Sequence, residues 1–178
     1  LSPRIHLIQS EVQKRELALS VNTEYILFLV SVPRSQIERE WDVSIFLYAL
    51  SNLISEILIS QVSLGRIIAY QIDNVFYNAI LIESKIDMKW MQDSAENIIR
   101  MCRQYLKCTA TCYFSEKTAV SGLSQIKTEL EQLDESNIIF RGKVHLPNEP
   151  FHYDITERFT LDIELFTMLF VQKEKVQI

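Results

Sequence analysis

Tyr25-Ile26-Leu27-Phe28-Leu29-Val30-Ser31-Val32 is a near-continuous apolar run, rich in β-forming residues, and Pro33 ends it. Successive side chains of a strand point to opposite faces, so a strand with one face in water alternates apolar and polar residues. A run without alternation suits a central strand covered on both faces. The rest of the fold has to supply that cover.

The segments that follow are of the right kind. Asp42 is placed to cap a helix over residues 42–60, in which Val43, Phe46, Leu47, Leu50, Leu53, Ile54, Ile57 and Leu58 recur at helical spacing. Residues 66–72 and 75–83 read as strands, and Asp73-Asn74 between them is a hairpin signal because both residues tolerate turn conformations. Asp87 caps a second long helix with the stripe Met88, Met91, Ala95, Ile98, Ile99, Cys102 and Tyr105. Residues 107–114 form a strand with Cys108, Ala110, Cys112 and Phe114 on one face and Lys107, Thr109, Thr111 and Tyr113 on the other. A shorter helix over residues 121–133 carries Leu123, Ile126, Leu130 and Leu133. Short extended pieces follow at 138–140 and 143–146, before a loop bounded by Pro147 and Pro150. The order β-α-β-β-α-β, with two long helices on one face of an antiparallel-centred sheet, predicts a ferredoxin-like α+β core over residues 22–150. Ser2 and Pro3 open a connector helix within residues 1–21. Residues 151–178 form an appendage whose helix, 156–172, has Phe159, Ile163, Phe166, Leu169 and Phe170 on one broad side.

Composition removes whole classes of function. Of 178 residues only 3 are glycine, namely Gly65, Gly122 and Gly142, and they stand far apart. Loops that cradle phosphate need clustered glycines, because a backbone with side chains neither approaches the phosphate closely nor adopts positive φ. Dinucleotide fingerprints, P-loops and nucleophile elbows are therefore absent. With 18 basic and 23 acidic residues the net charge is −5, a poor match for DNA, whose affinity comes largely from phosphate neutralisation. Three cysteines without framework spacing point to a reducing compartment, and the cytoplasm is the expected location. Apolar runs of about eight residues fall far short of the ~18–20 of a membrane span. The opening Leu-Ser-Pro-Arg carries no initiator Met and no signal-peptide pattern, which suggests an excised domain.

The candidate chemical groups resolve mostly into structure. Cys102, Cys108 and Cys112 lie on apolar faces and read as core rather than zinc ligands, since strand spacing separates the last two. His145, Glu149 and His152 share one loop, which offers three weakly placed ligands and no fourth, so the histidines read as surface or capping residues. Arg100, Arg103 and Lys107 crowd the end of the second helix, where cations complement the dipole; a phosphate site is the alternative. Trp41 and Trp90 anchor helix starts. Glu129 and Glu131 diverge, and Glu38-Arg39-Glu40 is a solvated charge run. No cofactor or metal is expected.

Gly122-Leu123-Ser124-Gln125-Ile126-Lys127-Thr128-Glu129-Leu130-Glu131-Gln132-Leu133, followed by Ile138-Ile139-Phe140-Arg141-Gly142-Lys143-Val144, is similar to a helix, an aromatic-glycine turn and a strand of the GGDEF family of diguanylate cyclases. With the hairpin, the likeness covers about residues 25–145. It most resembles the degenerate GGDEF-like regulatory domain that precedes the DNA-binding helices of AraC-type transcription regulators, including response regulators of the YesN type. In active cyclases the turn holds two glycines, and acidic residues there and at the end of the first strand hold metal. Here Gln71 and Ile72 occupy the glycine positions and Asp73 and Asn74 the acidic ones, while the first strand ends Val30-Ser31-Val32-Pro33. Phosphoryl chemistry needs oxygen ligands for metal and close backbone approach, so catalysis is not expected. The resemblance implies a homodimeric regulatory module that transmits an upstream input, from a receiver or a membrane sensor. It would touch DNA only through a domain outside this chain and make no membrane contact. The alternative is a sensor that binds a small ligand or nucleotide at the vestigial hairpin.

Overall fold

The structure, a computed structural model, describes residues 19–38, 40–58, 62 and 67–147. These form an α+β arrangement of five strands and three helices. In chain order they are β1 (Tyr25–Pro33), α1 (Val43–Leu58), β2 (Ile67–Ile72), β3 (Val75–Glu83), α2 (Met88–Met101), β4 (Thr111–Phe114), α3 (Leu123–Ser136) and β5 (Val144–His145). The sheet order is β2-β3-β1-β4-β5; every neighbouring pair is antiparallel except β4 and β5, which run parallel. Among the described residues no helix is long and apolar enough to cross a membrane.

β1 lies at the centre, paired with β3 from Tyr25 opposite Glu83 to Pro33 opposite Val75, and with β4 from Phe28 opposite Phe114 to Ser31 opposite Thr111. Every residue of it except Pro33 is buried, as a run without alternation requires. Its even-numbered side chains, from Ile26 to Val32, meet Phe46, Leu50, Ile54 and Leu58 of α1 and Met91, Ala95 and Ile98 of α2. Leu27 and Leu29 face the other way, onto Leu130 of α3, with Tyr77 and Tyr113 beside them. Both long helices thus cover one face and α3 covers the other. The caps fall where expected: Asp42 accepts from the backbone of Ser44 and Ile45, and Asp87 from Trp90.

Four local expectations change. The strand expected over residues 107–114 begins only at Thr111, because Pro33 has no N–H to donate and the chain makes a 3₁₀ turn at Arg34–Gln36. Pairing resumes beyond that turn, with Thr109 N–H on the Gln36 carbonyl at 2.9 Å and Glu38 N–H on that of Lys107 at 2.8 Å. At the end of α2 the helix widens into a π-turn, Cys102–Leu106. The wider turn rotates Leu106 inward and leaves Tyr105, expected on the apolar stripe, 58% exposed. Residues 138–140 are bends rather than an extended piece, since Asn137 Oδ1 accepts from Phe140 N–H and folds the chain back. Finally, residues 19–23 are non-helical, so the connector helix does not reach Ser20. The remainder of that helix, His152, Glu149, Pro150 and the helix expected over 156–172 lie outside the described residues.

Candidate functional site

The hairpin that the resemblance singles out forms as a two-residue turn, with Ile72 opposite Val75 and Asp73 in the left-handed region at φ 49°. Aspartate reaches that region more readily than most residues because its short side chain bonds locally. Asn74 contributes its carbonyl, which accepts from Arg34 N–H at 2.7 Å and so docks the turn on the exit of β1. Gln71 turns its amide onto the Asp73 carbonyl, and Ile72 is a half-exposed apolar residue. A hollow of about 180 Å³ beside the turn is lined by Arg34, Ile37, Glu38, Glu40, Trp41 and Phe76. Among the described residues, no three His, Cys, Asp or Glu side chains converge as a metal site would need.

Most of the ordered polar chemistry sits on the other face of the sheet. The row Ile126, Leu130, Asp134 descends α3 at four-residue spacing, so Asp134 continues an apolar stripe and is fully buried. Its carboxylate accepts from Ser31 Oγ of β1 at 2.6 Å and Tyr77 Oη of β3 at 2.9 Å, and pairs with the Arg141 guanidinium. A second Arg141 nitrogen donates to the Asp134 carbonyl at 2.7 Å, so one side chain holds both the acid and the end of its helix. Next to this, Asn137 Nδ2 donates to Tyr113 Oη at 2.8 Å, and the His145 ring stacks on Tyr113 with centroids 4.9 Å apart. His145 Nε2 lies 3.2 Å from Asn137 Nδ2 and 3.0 Å from the Phe140 carbonyl. Of the surface and capping roles expected for the histidines, His145 fits the second: it is half-buried, with Nε2 against the Phe140 carbonyl in the α3–β5 connection.

Burial, followed by the neighbouring Asp134 charge, pushes the Tyr77 and Tyr113 phenols well above their ordinary range. Tyr70 is raised by burial and by donating at 2.7 Å to Glu131. All three remain protonated donors under physiological conditions. Glu131 also receives Lys127, while Glu129 accepts from Gln125, so the two glutamates diverge as expected. Sequence reading missed Ser31, Tyr77, Asp134 and Arg141. The available signal was a carboxylate in register with Ile126 and Leu130.

The cysteines are free and buried. The Cys102 thiol is pushed up by its hydrogen bond with Cys108 and by burial, and Cys112 by burial alone, so none of this favours a thiolate. Trp41 packs edge-on against Phe46 with centroids 5.9 Å apart, and Trp90 receives the Asp87 cap at its backbone, both at helix starts. Of the three cations near the end of α2, Arg100 and Arg103 line a cleft of about 700 Å³ together with Lys143 of the turn into β5. Lys107 is not among them; it takes the left-handed position, φ 52°, that ends the π-turn.

Compared with known proteins, the chain matches no family model, no curated protein and no solved structure.

Proposed function

We propose that this chain is a non-enzymatic, signal-transmitting domain with a ferredoxin-like core, of the GGDEF-like kind that precedes the DNA-binding helices of AraC-type regulators. One observation carries the reading. The β2–β3 turn is docked on the exit of β1, the place where the resembled cyclases hold metal and nucleotide, and the residues there are Pro33, Gln71, Ile72, Asp73 and Asn74. Of these only Asp73 carries a carboxylate, and both glycine positions carry side chains. Phosphoryl transfer depends on metal-held oxygens and close backbone approach, so this turn keeps a shape without its chemistry. The strand order β2-β3-β1-β4, with α1 and α2 on one face, supports the ferredoxin-like assignment.

In this reading the domain is a cytoplasmic homodimer that contacts DNA only through a domain outside this chain. Input enters through the segment before β1, and a change in dimer geometry passes to the DNA-binding heads. Sedimentation of the chain, alone and with its upstream sequence, is expected to show a dimer; a strict monomer at high concentration in both cases overturns the mechanism. Incubation with GTP and magnesium is expected to yield no cyclic product, and a product overturns the non-enzymatic reading. The alternative, nucleotide sensing at the hairpin, is less well supported. A hollow of about 180 Å³ falls below the ~300–1,000 Å³ typical of small-molecule sites. A melting temperature raised by guanine nucleotides, and no longer raised in Asp73→Ala, would restore it.

A further inference from the structure

The cleft between the end of α2 and β5 has properties that the helix dipole does not explain. Cations in a last helical turn ordinarily neutralise free carbonyls. Here one of these carbonyls, that of Cys102, is already taken by the N–H groups of Lys107 and Cys108. Arg103 lies across the turn into β5 instead. Its Nη2 is so close to Gly142 that a Cβ there would come within 2.9 Å of it, and within 2.9 Å of the Thr109 methyl. Gly142, at φ +76°, is therefore the glycine that lets a guanidinium and a backbone turn share one wall. Lys143, the next residue, brings an ammonium from a different element and holds it 5.4 Å from the centre of the Phe140 ring.

Among the described residues these charges are not spent on ion pairs. The pairs among the described residues are Lys85–Glu83, Lys127–Glu131 and Arg141–Asp134, none of which involves Arg100, Arg103 or Lys143. Arg100 does donate to Asn97 at 2.7 Å, a neutral partner that leaves its charge uncompensated. Glu96 shares the lining, so three cations against one carboxylate leave a surplus of two positive charges, in a chain whose net charge is −5. The wall also carries Ile99 and Val144, and the volume, about 700 Å³, suits a small organic molecule.

We infer that this cleft binds a small organic phosphate, with the phosphoryl group on Arg103 and Lys143 and the apolar body over Ile99 and Val144. Guanidinium forks and ammonium groups are the side chains that recognise phosphate oxygens, and an apolar wall beside them selects an ester over the free ion. The site is separate from the hairpin turn, and the inference stands or falls independently of the regulatory reading.

The test is a titration of the whole chain, isotope-labelled, with inorganic phosphate and with phenyl phosphate at constant ionic strength, followed by amide chemical shifts. Both probes are expected to move the amides of residues 100–106 and 142–144 saturably, with phenyl phosphate the tighter. Exposed Arg103 and Lys143 can be changed without opening the core. The double variant Arg103→Gln/Lys143→Gln should weaken binding roughly tenfold or more, as expected for lost charge-assisted hydrogen bonds. Lys143→Gln alone should weaken it several-fold, and Asp73→Ala should bind like the unaltered chain. No saturable shift with either probe, shifts centred on residues 71–75, or unchanged affinity in the double variant each overturns the inference. Phenyl phosphate binding no tighter than inorganic phosphate overturns the role given to Ile99 and Val144.

Discussion

The two faces of the sheet are held by different physics. Under α1 and α2 the contact is mostly hydrocarbon, with Phe28 and Phe114 stacked at 4.4 Å and the Phe46–Leu50–Ile54–Leu58 row above them. It is broken by the buried Asn78, which accepts from Ser51 of α1 at 2.8 Å. Such a surface is non-directional, and its stability follows apolar area more than exact partners. Under α3 a thinner apolar layer borders a buried acid, a guanidinium, two phenols and a serine, each of which needs particular partners at particular angles. The apolar face tolerates changes of shape. The polar face specifies where α3 and β5 must sit, because misplacement leaves charge buried without a partner.

That contrast can be broken by substitution. Asp134→Ala strands the half-buried Arg141 and the Tyr77 hydroxyl, and is expected to cost about 3–5 kcal/mol in urea denaturation. A loss under about 1 kcal/mol would mean the two faces do not differ. Tyr77→Phe removes one hydrogen bond to a charged acceptor, so about 1.5–3 kcal/mol should go. Ile80→Val, a small loss of volume on the apolar face, should cost only about 0.5–1.5 kcal/mol.

A pH series sharpens the same comparison. The phenols of Tyr70, Tyr77 and Tyr113 are raised in the fold, while in the unfolded chain they ionise near pH ~10. Below that pH both states are protonated and the stabilisation is fully present. Above it only the unfolded state releases protons, so stability falls as pH rises. Denaturation midpoints should begin to fall above about pH 8.5, where unfolded thiols ionise while Cys102 and Cys112 stay protonated in the fold. They should fall more steeply above about pH 10, and that steeper part should be shallower in Tyr77→Phe. A flat profile through the alkaline range would remove Asp134 and its phenols from the account.

The apolar face was largely legible in the amino-acid pattern, since periodicity reports burial directly. The two-sided cover of β1, the alternation through Cys108, Ala110, Cys112 and Phe114, and the caps at Asp42 and Asp87 all follow from spacing. The Asp73-Asn74 turn does too. The polar face was hidden, because Ser31, Tyr77 and Asp134 belong to segments far apart and no local rule pairs them. Helical spacing places Tyr105 inward only where α geometry continues, and the stretch that carries it is π. At the cleft, Arg100 and Arg103 were visible as a cluster. Their partner Lys143 was not, because its meeting with them depends on where β5 lies beside β4.

The reach of the Asp134 cluster along the chain also bears on time. Its Ser31–Asp134 bond closes 103 residues and its Arg141–Ser31 contact 110. Contacts of such long sequence separation come after local helices and the hairpin in folding, when loop closure has already been met. Interactions absent from the transition state slow unfolding without speeding refolding. Late fastening of this cluster predicts that cutting it at Asp134 shortens the native lifetime while leaving the refolding rate nearly unchanged.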